Sequence, residues 1–127
     1  MNGILMVFFG AGIGGVLRHG VNMLAPRLLG IAFPGGTLFI NVLGSFLIGC
    51  VAGWLAFKAG EAWAQGARLF MVTGILGGFT TFSAFSLETA LLVERGEAGL
   101  AALYVGSSVA LSLVAVFGGL ALMRSLA

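Results

Sequence analysis

Charged side chains are scarce in this chain of 127 residues. They make up 8% of the sequence, whereas they make up about a quarter of an ordinary soluble domain. Hydrophobic residues account for 60%, and the mean hydropathy is +1.15. So few polar side chains cannot coat a globule in water, so we expect membrane lipid to surround the protein. The six basic residues are spread singly, which excludes the clustered basic surface of a nucleic-acid-binding protein.

Cysteine is nearly absent, and the one nucleotide-like motif lacks its context. Cys50 is the only cysteine and lies in an apolar run, which excludes an intrachain disulfide and predicts a packed thiol. The stretch "GAGIGG", Gly10 to Gly15, matches a dinucleotide-binding pattern in spacing alone. That motif follows a strand and has an acid about 20 positions on, whereas here the next acid is Glu61. We interpret these glycines as a helix-packing surface.

Charged residues divide the chain into four long apolar stretches. A membrane-spanning helix needs about 20 mostly apolar residues, and the stretches predict helices near 3–24, 36–57, 68–92 and 99–124. The loops between them are short and leave no room for a soluble domain. The sequence therefore predicts an all-α membrane protein with four transmembrane helices, in which residues 1–127 form a single domain.

Basic residues give the predicted helices almost no preferred orientation. One side of the membrane carries three and the other carries two, or three if Arg18 reaches the interface. Because Lys/Arg asymmetry normally fixes orientation, this balance favours insertion both ways and pairing of two copies as an antiparallel dual-topology homodimer. A short, charge-poor chain can also be balanced by chance. Small residues at every fourth position favour close helix packing, within the chain or between copies: Gly10 and Gly14, then Ser45, Gly49 and Gly53.

A few polar residues fall inside the predicted helices, where they are costly and tend to be functional. Asn41, early in the second helix, can bond to a neighbouring helix or donate to an anion. Tyr104, Ser108 and Ser112 are spaced by four, so their hydroxyls share one helix face, and both a packing and a pathway role stay open.

Arg18 and His19 end the first uncharged run. Arg18 either snorkels to the lipid headgroups or attracts anions into a vestibule. His19 has no partner at metal-ligand spacing, and we expect it at the membrane interface.

The stretch "GGFTTFSAFSLE", Gly77 to Glu88, is unusual at membrane depth. Its paired glycines and threonines are poor helix formers, so we expect the third helix to be broken near Gly77–Thr80. Broken backbone is tolerated in a membrane only where it is buried in protein or lines a polar cavity. Phe79, Phe82 and Phe85 recur at a spacing of three. Such rings either pack in the core or present their positive edges to a small anion.

The stretches "GIGGVLRHG", "PGGTLFINVLGSFLIG" and "GGFTTFSAFSLE" resemble three signature regions of the Fluc (CrcB) fluoride channels. The resemblance covers all four helices in order. It implies an antiparallel dual-topology homodimer in the bacterial inner membrane, with two fluoride pores and a central structural Na⁺. Two small departures are His19, where an aromatic residue is frequent, and Phe79, where leucine is common.

The resemblance also implies roles for residues by position. Asn41 is expected to donate to the ion, and the ring edges of Phe82 and Phe85 to face it. The rest of the implied fluoride pathway is Thr37, Thr81, Ser83, Glu88, Tyr104, Ser108 and Ser112. Arg18 matches a vestibule arginine. The main-chain carbonyls of Gly77 and Thr80, from both subunits, are expected to hold the Na⁺.

The function expected from the resemblance is passive fluoride export that protects the cell, with no enzyme chemistry. One rival is a proton-coupled exporter of the small multidrug resistance type, which would share the length, the helix count and dual topology. Such exporters carry an embedded glutamate in the first helix, whereas the only candidate here is Glu88 in the third. The other rival is a non-transporting assembly subunit whose polar residues only join helices.

Overall fold

The structure, a computed structural model, describes residues 2–126 and is all-helical. The first two helices, α1 (Gly3–Leu29) and α2 (Gly35–Ala56), are joined by a short loop. The third span is composite: α3 (Ala64–Arg68), a π-helix π1 (Leu69–Leu76), α4 (Gly77–Phe79) and α5 (Phe82–Glu94). The last helix is α6 (Ala98–Ser125). Four spans, Ala64–Glu94 counted as one, are long and apolar enough to cross a membrane, which confirms the predicted all-α architecture with four membrane-spanning segments.

Helix ends follow local capping chemistry. Asn2 caps α1, because its side-chain oxygen accepts a hydrogen bond from the Ile4 amide at 2.7 Å. The helix then runs through Pro26 to Leu29, beyond the predicted end at residue 24, and stops at Gly30, whose φ of 80° suits glycine. The third span begins at Ala64, before the predicted residue 68, so the second loop is shorter than the sequence indicates.

Two seams of close backbone contact hold the four spans together. Along one, α1 packs against π1 and α4; along the other, α2 packs against α6. Glycine makes both possible: a Cβ atom on Gly14 would overlap the Ile75 carbonyl oxygen, and one on Gly119 would overlap the Phe46 carbonyl oxygen. Because small residues let membrane helices approach closely, these glycines set the spacing of the helices.

The third span is interrupted at Thr80 and Thr81, where the backbone is extended. Gly77 and Gly78 are themselves helical and belong to α4. The interruption therefore lies at the threonines, at the C-terminal end of the region that the sequence indicates. Upstream of it, eight residues of π-helix form the part of the span that faces α1.

Candidate functional site

The interruption is stabilised by threonine side chains on both sides. The Thr80 hydroxyl donates to the Leu76 carbonyl at 3.0 Å, which finishes the preceding helical turn. Thr81 caps α5, because its hydroxyl oxygen accepts from the Ala84 amide at 3.1 Å. Ser83 lies beside this cap, with its hydroxyl 3.3 Å from that of Thr81. Consecutive threonines thus end one helix and begin the next.

Asn41 on α2 holds the main chain of Thr81 through two hydrogen bonds. Its Oδ1 accepts from the Thr81 amide at 2.9 Å, and its Nδ2 donates to the Thr81 carbonyl at 3.0 Å. A side-chain amide has two N–H donors, so one N–H of Asn41 is left for another acceptor. The expected interhelical bond of Asn41 is therefore present, and it uses only one of the two N–H donors.

Because of these bonds, two main-chain carbonyls lack the amide donors that a continuous α-helix would supply. In a continuous α-helix the Thr81 amide would donate to the Gly77 carbonyl and the Ala84 amide to the Thr80 carbonyl. Here the first donates to Asn41 and the second to the Thr81 hydroxyl. Gly77 and Thr80 are the residues whose carbonyls the resemblance assigns to a cation.

A cavity of about 450 Å³ lies beside the interruption and opens at the surface of the chain. Its wall contains carbonyl, amide, hydroxyl and aromatic groups from α2, the third span and α6. The predicted site residues that line it are Asn41, Gly77, Thr80, Thr81, Phe82, Phe85, Ser108 and Ser112. Ser45 also lines the cavity, and its position four residues after Asn41, on the same helix face, is the sequence signal that could have identified it.

Ser108 supplies a polar atom without a partner in this wall. Its residue is 6% exposed, and its Oγ is the one buried side-chain polar atom within residues 2–126 that has no hydrogen-bond partner. Buried hydroxyls are nearly always paired. Ser108 is a lining residue of the cavity, so this hydroxyl is an unpaired donor next to the cavity, although its Oγ is itself shielded from solvent.

The phenylalanines form the start of a short chain of aromatic contacts. The ring centroids of Phe82 and Phe85 are 5.5 Å apart, and those of Phe85 and Tyr104 are 5.1 Å apart. Phe82 is 78% exposed and Tyr104 is fully buried. Phe79 is buried as well but does not line the cavity, so the three-residue spacing brings together only the second and third of the predicted rings.

Glu88 joins two further predicted residues in one cluster. One carboxylate oxygen accepts from the Thr37 hydroxyl at 2.8 Å, and the other accepts from the Tyr104 hydroxyl at 2.9 Å. Thr37 is 3% exposed, so both donors are shielded. The cluster joins α2, α5 and α6 next to Phe85, whereas Arg18 lies on α1 outside the cavity wall.

Comparison with known proteins gives the family. A profile described as "CrcB-like protein, Camphor Resistance (CrcB)" matches residues 5–120. The chain is 60% identical over 126 residues to a protein of Granulibacter bethesdensis named "Fluoride-specific ion channel FluC", with 99% of this chain and 98% of the relative covered. It is 57% identical over 122 residues to a protein of the same name from Rhodopseudomonas palustris, with 96% and 97% covered.

The match runs from α1 to α6 and so includes every element of the cavity wall. The chain belongs to the CrcB-like family.

Proposed function

We propose that this protein is a fluoride-specific ion channel of the bacterial plasma membrane, through which fluoride leaves the cytoplasm passively. The observation that carries the proposal is the cavity at the interrupted third span, whose mainly apolar wall includes the polar residues Asn41, Thr81 and Ser108. The relatives named as fluoride-specific channels match nearly the whole chain. The protective role follows from acid–base chemistry: hydrogen fluoride enters, ionises in the more alkaline cytoplasm, and the anion leaves through the channel.

The groups around the cavity suit a weakly held anion. The Ser108 hydroxyl and the second Asn41 N–H can donate, and the rings of Phe82 and Phe85 can present positive edges. No lysine or arginine lies in the wall as described over residues 2–126. Conduction requires binding strong enough to replace hydration and weak enough to release the ion. Neutral donors and ring edges meet both conditions, whereas a full positive charge would trap fluoride.

Ser112 and Thr81 add hydroxyl groups to the cavity wall, and Ser83 lies beside Thr81 at the interruption. Tyr104 and Thr37 are buried behind that wall, and we propose that they belong to the fluoride pathway beyond it. Glu88 accepts the single O–H of both Thr37 and Tyr104, so its proposed role is to fix the positions of these two side chains beside the Phe85 ring. Arg18 stands apart from the wall, and we assign it to the outer vestibule, where a positive charge raises the local concentration of anions.

The open side of the cavity supports a homodimer. Interrupted backbone and polar groups are not left facing lipid within the hydrocarbon region, so we expect another protein surface to cover this opening. A second copy inserted in the opposite orientation would supply that surface, and the near balance of basic residues allows such insertion. Membrane lipid would cover the remaining apolar surface.

A structural Na⁺ at the dimer interface fits the main chain at the interruption. Within residues 2–126 no three His, Cys, Asp or Glu side chains cluster as a metal site. The proposed cation is therefore one that main-chain carbonyl oxygens would bind. The Gly77 and Thr80 carbonyls have lost their helical donors, and carbonyl oxygens are suitable ligands for such an ion. The ion would supply charge that holds the two interruptions together.

Fluoride efflux from liposomes tests the function. Vesicles are loaded with potassium fluoride or potassium chloride, valinomycin is added, and the released anion is followed with a selective electrode. We expect rapid fluoride release with chloride retained. If fluoride moves only with a proton gradient, the exporter hypothesis, to which these relatives lend no support, replaces the channel.

Two phenylalanine variants then test the pathway. Phe82→Ile should cut fluoride efflux, because it removes a ring edge from the cavity wall. Phe117→Ile is the matched control, since Phe117 is also largely exposed but lies outside that wall, and its efflux should equal that of the wild type. Equal efflux from both variants would remove the Phe82 ring from the mechanism.

A further inference from the structure

The two hydrogen bonds between Asn41 and Thr81 have a consequence for how the third span stays interrupted. A stretch of two extended residues inside a membrane helix exposes amides and carbonyls, and each unsatisfied group is costly there. The alternative is a continuous helix, in which the Thr81 amide would pair with the Gly77 carbonyl. The interrupted form therefore needs a partner for Thr81 that competes with the helix.

Asn41 is such a partner in both directions. Its Oδ1 takes the Thr81 amide and its Nδ2 takes the Thr81 carbonyl, so one planar side-chain amide stands in for a neighbouring main-chain amide. Thr81 is 8% exposed, so most of its surface is covered by protein, with Asn41 on its main chain. A Cβ atom on Gly44, one turn further along α2, would overlap the Thr80 methyl group. The absence of a side chain there lets α2 pack closely against the extended segment.

From this geometry we infer that Asn41 is a positioning residue: its amide holds the Thr81 main chain and thereby keeps the third span interrupted. It acts on the ion pathway through Thr81, in addition to any contact of its free N–H with the ion. By taking the Thr81 amide it also leaves the Gly77 carbonyl available. The inference rests on the proposed function only for its effect on flux, because the clamp itself is a property of the chain without fluoride.

Residue-resolved hydrogen exchange in fluoride-free nanodiscs tests the clamp directly. In Asn41→Ala the Thr81 amide loses its acceptor, so its exchange rate should depart from that of the wild type. It should rise roughly threefold to tenfold where Thr81 stays extended, as for the loss of one ordinary hydrogen bond, and fall where the span closes into a continuous helix and the amide pairs with the Gly77 carbonyl. Amides in the middle of α6 should keep wild-type rates, which separates local release from general destabilisation. Ser45→Ala is the matched control, since Ser45 lies one turn further on the same wall and its loss should leave Thr81 unchanged.

A second variant keeps the test informative if Asn41→Ala does not fold. Asn41→Asp retains an oxygen that accepts from the Thr81 amide but, when ionised, cannot donate to the Thr81 carbonyl. Its Thr81 exchange should therefore stay closer to wild type than that of Asn41→Ala, or of Asn41→Leu if alanine is not tolerated. Wild-type exchange at Thr81 in the apolar variant, together with lost fluoride efflux, would overturn the clamp and leave Asn41 as an ion donor alone. If Thr81 exchange changes in Asn41→Ala but the wild-type protein shows no fluoride efflux, the proposed channel function is wrong and the inferred role of Asn41 at Thr81 still holds.

Discussion

Two neighbouring glycines on α1 should respond in opposite ways to the same substitution. A Cβ atom on Gly14 would overlap the Ile75 carbonyl oxygen and come within 2.8 Å of the Phe79 nitrogen, whereas one on Gly15 would meet nothing within 4 Å. Both residues lie in the interior of one helix, so the effect of alanine on helix propensity is the same at each position. The difference between the variants therefore isolates the contact between α1 and the third span.

The magnitude follows from that contact. In Gly14→Ala the seam must open by roughly 1.5 Å to reach an ordinary separation of heavy atoms, and overpacking of this kind costs about 1–3 kcal/mol. Gly15→Ala should raise the free energy of unfolding by about 0.4–1 kcal/mol, because the unfolded chain loses freedom. We expect Gly14→Ala to be less stable than Gly15→Ala by about 1–3 kcal/mol.

Unfolding in detergent micelles by sodium dodecyl sulfate measures the difference. The neighbouring indoles of Trp54 and Trp63, with ring centroids 5.5 Å apart, provide a fluorescence signal. The protein concentration is held fixed because association shifts apparent stability. Fluoride efflux should also fall in Gly14→Ala, since Phe79 is the last helical residue before the interruption. Equal stability of the two variants would refute the inference that the Gly14 contact sets the spacing of α1 and the third span.

Three further predictions follow from other contacts. On the second seam, Gly119→Ala should lower the free energy of unfolding relative to Gly118→Ala by about 1–3 kcal/mol, because only the former meets the α2 backbone; the same unfolding assay decides. Tyr104→Phe leaves one oxygen of Glu88 without the hydroxyl that donates to it at 2.9 Å. The free energy of unfolding should fall by about 1–3 kcal/mol in that assay, and an unchanged value would show that this bond does not stabilise the fold. Ser108→Ala removes an unpaired buried hydroxyl, so stability should stay equal or rise while fluoride efflux falls; a stability loss without an efflux change would assign Ser108 to packing.

Much of the site could be predicted from sequence where the signal is local. The spacing of Tyr104, Ser108 and Ser112 indicated a shared face. The structure places the two serines in one cavity wall, whereas Tyr104 lies outside that wall and donates to Glu88. The paired glycines and threonines indicated a weak point near Gly77–Thr80. Thr80 and Thr81 are extended, whereas Gly77 and Gly78 are helical. The proposed roles of these residues toward fluoride stay predictions, as do the homodimer and the Na⁺.

Contacts between distant segments could not be predicted in the same way. Thr37 and Glu88 are 51 positions apart, and Asn41 and Thr81 are 40 apart, so no periodicity within one helix relates them. Asn41 was open to two interpretations from sequence, and only its two bonds to one main-chain residue show how it holds the interruption. The π-helix of eight residues likewise has no signal in a run of ordinary apolar residues.

The sequence by itself determined that this chain has four membrane spans. Each span must be long enough to cross the hydrocarbon core and must carry few charges, and both properties can be read from a single segment. The tertiary structure decided which polar groups meet and which are left unpaired. Hydrogen bonds act over about 3 Å, so the pairing of Asn41 with Thr81, and the free hydroxyl of Ser108, depend on how closely the glycine seams let the helices approach.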